Sequence, residues 1–158
     1  MLRDLTQLAI LNSHAPFDAA VNKYADGALG NLLHKSLNVV KGTYDFTVQA
    51  GAIGSLNLND DTGVPLILPN GATVLYAVVV HSVACTSGGS ATVSLGLKTA
   101  VDVLAATAVA SMTGVVPGAP TFAANAITSF GADKPLTMAI ATATLTAGKF
   151  SVYLVYVV

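Results

Sequence analysis

The spacing of hydrophobic and polar positions along this chain changes period once, near Gly42. Upstream, Val21, Tyr24, Ala25, Ala28, Leu29, Leu32, Leu33, Ser36, Leu37 and Val40 recur three and four residues apart, which places them on one helical face. Asp18, just after Pro16-Phe17, stands where an N-cap belongs, and Gly42 where a C′ glycine would stop the helix. The spacing predicts helical character from Asp18 to Lys41. Gly27 and Gly30 each weaken it by ~1 kcal/mol relative to alanine, so the stretch reads as a broken helix or as an arm ordered only by a neighbour.

From Thr43 onward the period is two. Tyr44, Phe46 and Val48 alternate with Asp45, Thr47 and Gln49, and Ala91, Val93, Leu95 and Leu97 alternate with Thr92, Ser94, Gly96 and Lys98. Thr73 to Ala84 reads as a long strand between the turn signals Pro69-Asn70-Gly71 and Thr86-Ser87-Gly88-Gly89-Ser90. Further strands are predicted at Leu56–Asn59, Val101–Met112, Phe122–Ser129, Leu136–Thr146 and Phe150–Val158, the last two joined as a hairpin through Ala147-Gly148-Lys149. The terminal strand is apolar on both faces, as a strand covered on both sides would be, and one of those covers could be a neighbouring subunit.

Short strands separated by turns, with no helical pattern between them, predict an all-β, jelly-roll-like antiparallel β-sandwich. The expected organisation is an N-terminal arm, partly helical, over residues 1–42, followed by the sandwich over 43–158. An amphipathic arm attached to a complete sandwich is surplus to its core. Burying several hundred Å² of it at ~25 cal/mol per Å² gives a gross gain of order ten kcal/mol. Ordering costs of ~1–2 kcal/mol per residue offset much of that, so an isolated arm is expected to be loose.

Composition sharpens this picture. Ten of the fifteen charged residues lie in the first 61 positions, which leaves Lys98, Asp102, Asp133, Lys134 and Lys149 for the rest. Residues 62–158 contain thirteen Thr and seven Ser, so the polar surface there is built from hydroxyls and backbone. A surface this poor in ions tends to self-associate unless partners cover it. With one Arg and a net charge of −1 there is no basic stripe of the kind that phosphate binding requires, and no nucleic-acid partner is expected. Leu5–Leu11 is too short to span a membrane, and Pro16 spoils Ser13-His14-Ala15 as a leader cleavage site. A transmembrane barrel is disfavoured by the few, scattered aromatic residues, so no membrane partner is expected.

The candidate chemistry is thin. Cys85 is alone and reads as a small buried hydrophobe. Gly148-Lys149 is not a phosphate loop, because Phe150 follows where a hydroxyl residue is needed and position 143 is Ala. His14, His34 and His81 do not pair at metal spacing, and His81 interrupts the apolar run Val78-Val79-Val80 as a structural or interface residue. Asn59-Asp60-Asp61-Thr62-Gly63 could offer oxygens to Ca²⁺, but the same residues are those of a tight turn. Gly51-Ala52-Ile53-Gly54-Ser55 reads as a glycine turn at a sandwich corner. No catalytic residue, cofactor site or metal site is expected.

Several strings then look alike to known sequences: Gly42-Thr43-Tyr44-Asp45-Phe46-Thr47-Val48 with Gly51-Ala52-Ile53-Gly54, Leu68-Pro69-Asn70-Gly71-Ala72, Thr86 to Gly96, and Leu145-Thr146-Ala147-Gly148-Lys149-Phe150. Over about residues 42–158 the chain resembles small virion structural proteins of tailed bacteriophages, particularly capsid decoration or cement proteins with a jelly-roll-like sandwich. The resemblance implies a protein on the outside of an icosahedral head, assembled in the host cytoplasm. It would often be a homotrimer, clamping adjacent major capsid protein subunits. Tyr24, Leu29, Leu32, Leu33 and Leu37 are the contact residues expected in the arm. The rival reading is a carbohydrate- or receptor-binding sandwich of a phage spike or fibre. It is weakened by the absence of Trp and by Tyr76, Tyr153 and Tyr156 falling in strands where burial is expected.

Overall fold

A computed structural model describes residues 37–118 and 132–158. The expectations for residues 18–36 and for a strand at Phe122–Ser129 fall outside the described residues. The regular structure of the described part is nearly all strand: β1 (Asn38–Asp45), β2 (Gly54–Asn57), β3 (Ile67–Leu68), β4 (Thr73–Ser87), β5 (Thr92–Gly96), β6 (Leu104–Ala108), β7 (Val115–Pro117), β8 (Lys134–Pro135), β9 (Thr137–Ala141) and β10 (Leu145–Val157). A single turn of helix, α1 (Phe46–Gln49), and a 3₁₀ turn (Val109–Ser111) complete it.

The pairings are nested. β1 pairs with β10, β2 with β9, β3 with β8, β4 with β7 and β5 with β6, all antiparallel. The chain is therefore one long double ribbon that doubles back between β5 and β6. Two further pairings, β4 with β10 and β5 with β9, roll the ribbon up. The result is one sheet in the order β1-β10-β4-β7, a second in the order β2-β9-β5-β6, and the small pair β3-β8. This is the strand order of a jelly roll, an all-β antiparallel sandwich.

Period-two alternation selects which face turns inward. In β10, Phe150, Val152, Leu154 and Tyr156 are buried, and in β4 so are Val74, Ala77 and Val79. Val93 and Leu95 of β5 and Met138 and Ile140 of β9 meet them from the other sheet in one core cluster. Tyr44 stacks obliquely on Phe150 with ring centroids 5.2 Å apart, and its hydroxyl donates to the Ala50 carbonyl at 2.8 Å.

Four sequence-based expectations are corrected. Asn38 to Gly42 belong to β1, and Gly42 is a crowded strand glycine whose added Cβ would sit 2.9 Å from Leu136 and 3.1 Å from Leu66. Period-three spacing at Leu37 and Val40 coincided there with a strand. Phe46–Gln49 is helical because Asp45 caps it, accepting from Thr47 N at 2.9 Å and Thr47 Oγ1 at 2.6 Å. In residues 101–112 only Leu104–Ala108 is strand, and the 3₁₀ turn follows.

The fourth correction concerns Ala147-Gly148-Lys149. These residues lie inside β10, and β9 and β10 enter different sheets, joined through Thr142 at φ 72°. The glycine marks an irregularity in the β10–β4 register. At φ 143°, its Cβ would lie 2.6 Å from Cys85 Sγ.

Gly148→Ala is expected to destabilise the fold by roughly 2 kcal/mol or more, since it strains the backbone and overpacks a buried contact. Gly88→Ala, which meets nothing within 4 Å, should change little. Chemical denaturation of the two variants side by side measures the difference.

Candidate functional site

The residues of β1, β10, β4 and β7 that do not face the core form an outer sheet surface, and register fixes its rows. Val39, Val155 and Tyr76 stand side by side. Next come Lys41, Tyr153, Val78 and Pro117. The third row is Thr43, Ser151, Val80 and Val115, and the last begins with Asp45 and Lys149. The surface thus grades from apolar, at the end where the chain enters β1, to charged at the other.

At the apolar end Val39 is 63% exposed and Tyr76 39%, and Val115 on the far edge is 65% exposed. Val78, Tyr153, Val155 and Val157 are half-buried by their own neighbours. Large exposed apolar side chains set in a row on one sheet are unlike the scattered exposure of an ordinary surface. The outer face of the second sheet differs. Its aligned rows are Ser55, Ala139 and Ser94, then Asn57, Thr137 and Gly96, uncharged residues of which Ser94 and Gly96 are buried.

The charged end is closed by two ion pairs. Lys41 Nζ lies 2.6 Å from Asp61 Oδ1, and Lys149 Nζ lies 2.7 Å from Asp45 Oδ2. The Lys149 and Thr47 hydrogen bonds hold the Asp45 carboxyl down at about 2, and the Asp61 hydrogen bond raises Lys41. Both pairs are solvent-exposed, so each contributes little to stability. Between them the Thr43 hydroxyl is shielded and has no hydrogen-bond partner among the described residues.

The remaining carboxylates among the described residues hold loops. Asp60 Oδ1 accepts from Thr62 N, Thr62 Oγ1 and Val64 N at 2.7–3.2 Å, an Asx turn in the segment considered for Ca²⁺. Asp102 accepts from the backbone N–H groups of Leu97, Lys98 and Thr99, and Asp133 from Asn70 N. No group of three or more His, Cys, Asp or Glu that could hold a metal gathers among the described residues. Cys85 is buried and its thiol is pushed up to about 11 by burial, the state of a packing residue.

Of the arm residues expected at a contact, Leu37 is described, 44% exposed and next to β1, while Tyr24, Leu29, Leu32 and Leu33 lie outside the described residues. Sequence reasoning missed Val39, which it placed on a helix, and Tyr76, which it expected to be buried. A signal for the face was present in Val78-Val79-Val80 and in Tyr153, Val155 and Val157, which are apolar where an ordinary outer face would be polar.

No protein-family model matches the chain, and no curated protein sequence matches it. Solved structures do share its fold. A chain of the acidic stable capsid structure of Helicobacter pylori bacteriophage KHP30 matches with a TM-score of 0.56 at 16% identity, over 80% of this chain and 90% of that one. A chain of the cyanophage Pam1 capsid asymmetric unit matches with a TM-score of 0.57 at 18% identity, over 77% and 84%. A chain of the capsid of Ralstonia phage GP4 matches with a TM-score of 0.54 at 16% identity, over 77% and 83%.

The seam between β4 and β7 contains His81, whose Nδ1 lies 3.2 Å from the Gly114 carbonyl and whose Nε2 is buried without a partner among the described residues. Its ring packs 5.2 Å from that of Phe150. Desolvation lowers the His81 pKa from 6.5, against the opposing pull of the Gly114 carbonyl. The unfolded chain then binds the proton more readily. Its contribution to stability is complete above about pH 6.5 and declines as the pH falls through the folded value. Denaturation curves recorded between about pH 8 and pH 5 should therefore show a steeper loss in the wild type than in His81→Gln.

Proposed function

We propose that this chain is a virion structural protein of a tailed phage, a capsid decoration or cement protein that bridges major capsid protein subunits as a homotrimer on the head surface. The observation that carries the reading is the rolled sandwich itself. Its fold is shared, across most of both chains, with chains of three phage capsid structures. The surface supports it: one outer face is apolar at one end, the aligned rows of the other sheet carry no charge, and the described carboxylates are engaged in ion pairs or loop backbones. This is a chemistry of contact, with no catalytic role assigned to any residue, and neither nucleic acid nor membrane is proposed as a partner.

In this reading the arm supplies part of the bridge. Tyr24, Leu29, Leu32, Leu33 and Leu37 would reach a neighbouring subunit, so that a modest contact is multiplied over many copies. We take the arm as the residues before Asn38, since Asn38–Gly42 is strand.

The test is binding of purified protein to phage heads that lack it. Saturable binding with a raised temperature of head disruption is expected, together with binding at least tenfold weaker by a chain deleted of residues 1–36. A protein that leaves heads unbound and their stability unchanged would refute the decoration role, and hits on a glycan array would move the assignment to receptor binding.

A further inference from the structure

We infer that residues 113–117 form an acid-released strap: when the His81 ring takes up a second proton, β7 parts from β4 at this edge of the first sheet while the rest of the sandwich stays folded.

The strap is weakly held by construction. β7 pairs with β4 at three positions, Val78 with Pro117, Val79 with Val116 and Val80 with Val115. Flanking bonds run from His81 N to the Gly114 carbonyl at 2.8 Å and from Gly118 N to the Ala77 carbonyl at 3.0 Å. Pro117 has no N–H to add. Thr113, Gly114, Val115 and Pro117 are exposed, and Val116 alone of the five is half-buried against the core. The ends are firmer. Met112 is fully buried, Gly114 turns at φ 62°, and Gly118 is packed so tightly that an added Cβ would lie 2.7 Å from the Val103 carbonyl oxygen. On its other side β4 pairs with β10 almost throughout. An element that buries so little apolar surface opens at far lower cost than the whole fold.

His81 ties the strap to the core. Its Nδ1 lies 3.2 Å from the Gly114 carbonyl, so in the neutral ring Nδ1 carries the hydrogen and Nε2 is a bare acceptor. Nε2 is shielded and has no hydrogen-bond partner among the described residues. The second proton goes to that atom and places a charged donor where nothing accepts it. The Phe150 ring beside it, 5.2 Å away and tilted by 49°, offers no lone pair. A buried charge without a partner is costly, and swinging the strap away returns the imidazolium to water.

The surroundings contain no competing switch. Residues 113–117 are Thr-Gly-Val-Val-Pro and the 3₁₀ turn is Val-Ala-Ser, with nothing to titrate. Along β4 the Cys85 thiol is pushed up to about 11, and beyond Phe150 the Tyr44 hydroxyl of β1 is pushed up to about 12, both by burial. On β10, Lys149 next to Phe150 is paired with Asp45 on the outer face. His81 is thus the group of this neighbourhood whose charge changes between about pH 5 and pH 8. Desolvation lowers its pKa from 6.5 in the closed form, and opening returns it toward that value. Closure is at full strength above about pH 6.5 and weakens as the pH falls through the closed-form value.

Amide hydrogen exchange on the full-length protein reads the strap through the amides of residue 81 and Val116, each compared with its own intrinsic rate. Bonded pairs alternate along an antiparallel ladder, so Val79 and Val116 are bonded between the two flanking pairs. Protection at both amides should fall by about threefold or more between about pH 8 and pH 5, and should stay well below that of Val152 and Leu154 in β10 at every pH. In His81→Gln it should not vary with pH. Strap amides that exchange only in step with β10, or a fall of the same size in His81→Gln, overturn the inference.

Val116→Ala supplies the second measurement, because it loosens the strap and leaves the His81–Gly114 contact in place. Coupling between two events is reciprocal. The His81 pKa, followed by NMR, should therefore rise in this variant toward 6.5, and an unchanged value overturns the inference equally.

Discussion

The structure depends on β10. It is the strand that the ribbon must bring home: it pairs with β1 along Asn38 to Asp45 on one side and with β4 along almost its whole length on the other. Its inward side chains, Phe150, Val152, Leu154 and Tyr156, supply the first sheet's central line of core contacts. Asn38 meets Tyr156 from the opposite end of the described chain, so this pairing closes nearly every loop in the fold. Closure on that scale is slow to find, because non-local contacts repay the lost chain entropy only after they form. Once made, the β1–β10 and β4–β10 ladders hold the two halves of the ribbon in one sheet.

A chain with so few ions uses them sparingly, and the described ones show where. Five carboxylates hold two ion pairs and three loop backbones, and both ion pairs are anchored in strands, through Lys41 and Asp45 of β1 and Lys149 of β10. Asp102 gathers three consecutive backbone N–H groups that would otherwise point into an unpaired bend. On the outer face of the first sheet the charge is gathered into two ion pairs, Lys41 with Asp61 and Asp45 with Lys149. The row of Val39, Val155 and Tyr76 is thereby left free of the desolvation cost that a buried charge would impose on anything that covers it.

The sandwich was largely legible in the sequence because a half-buried strand writes its alternation directly into the order of residues. Ala91, Val93, Leu95 and Leu97 are buried as read, and Thr73 to Ala84 is strand as read, extended by three residues. Legibility failed where one contact overrides the local period. The cap at Asp45 turned Phe46–Gln49 out of the strand, and the Gly148 irregularity concealed a continuous β10 behind residues typical of a turn. At Asn38–Gly42 the periods of helix and strand overlap, and only pairing with β10 decides between them. The contact surface was half legible: the doubly apolar terminal strand announced a second cover, but register alone could set Val39 and Tyr76 beside Val155.

The close approach of Gly148 to Cys85 has a chemical consequence. A thiol pinned beneath the backbone of β10 and pushed up to about 11 spends almost no time as thiolate. It is thereby a poor nucleophile toward disulfides and a poor target for peroxides. Such a cysteine gives oxidation no handle by which to link two copies of this chain through it.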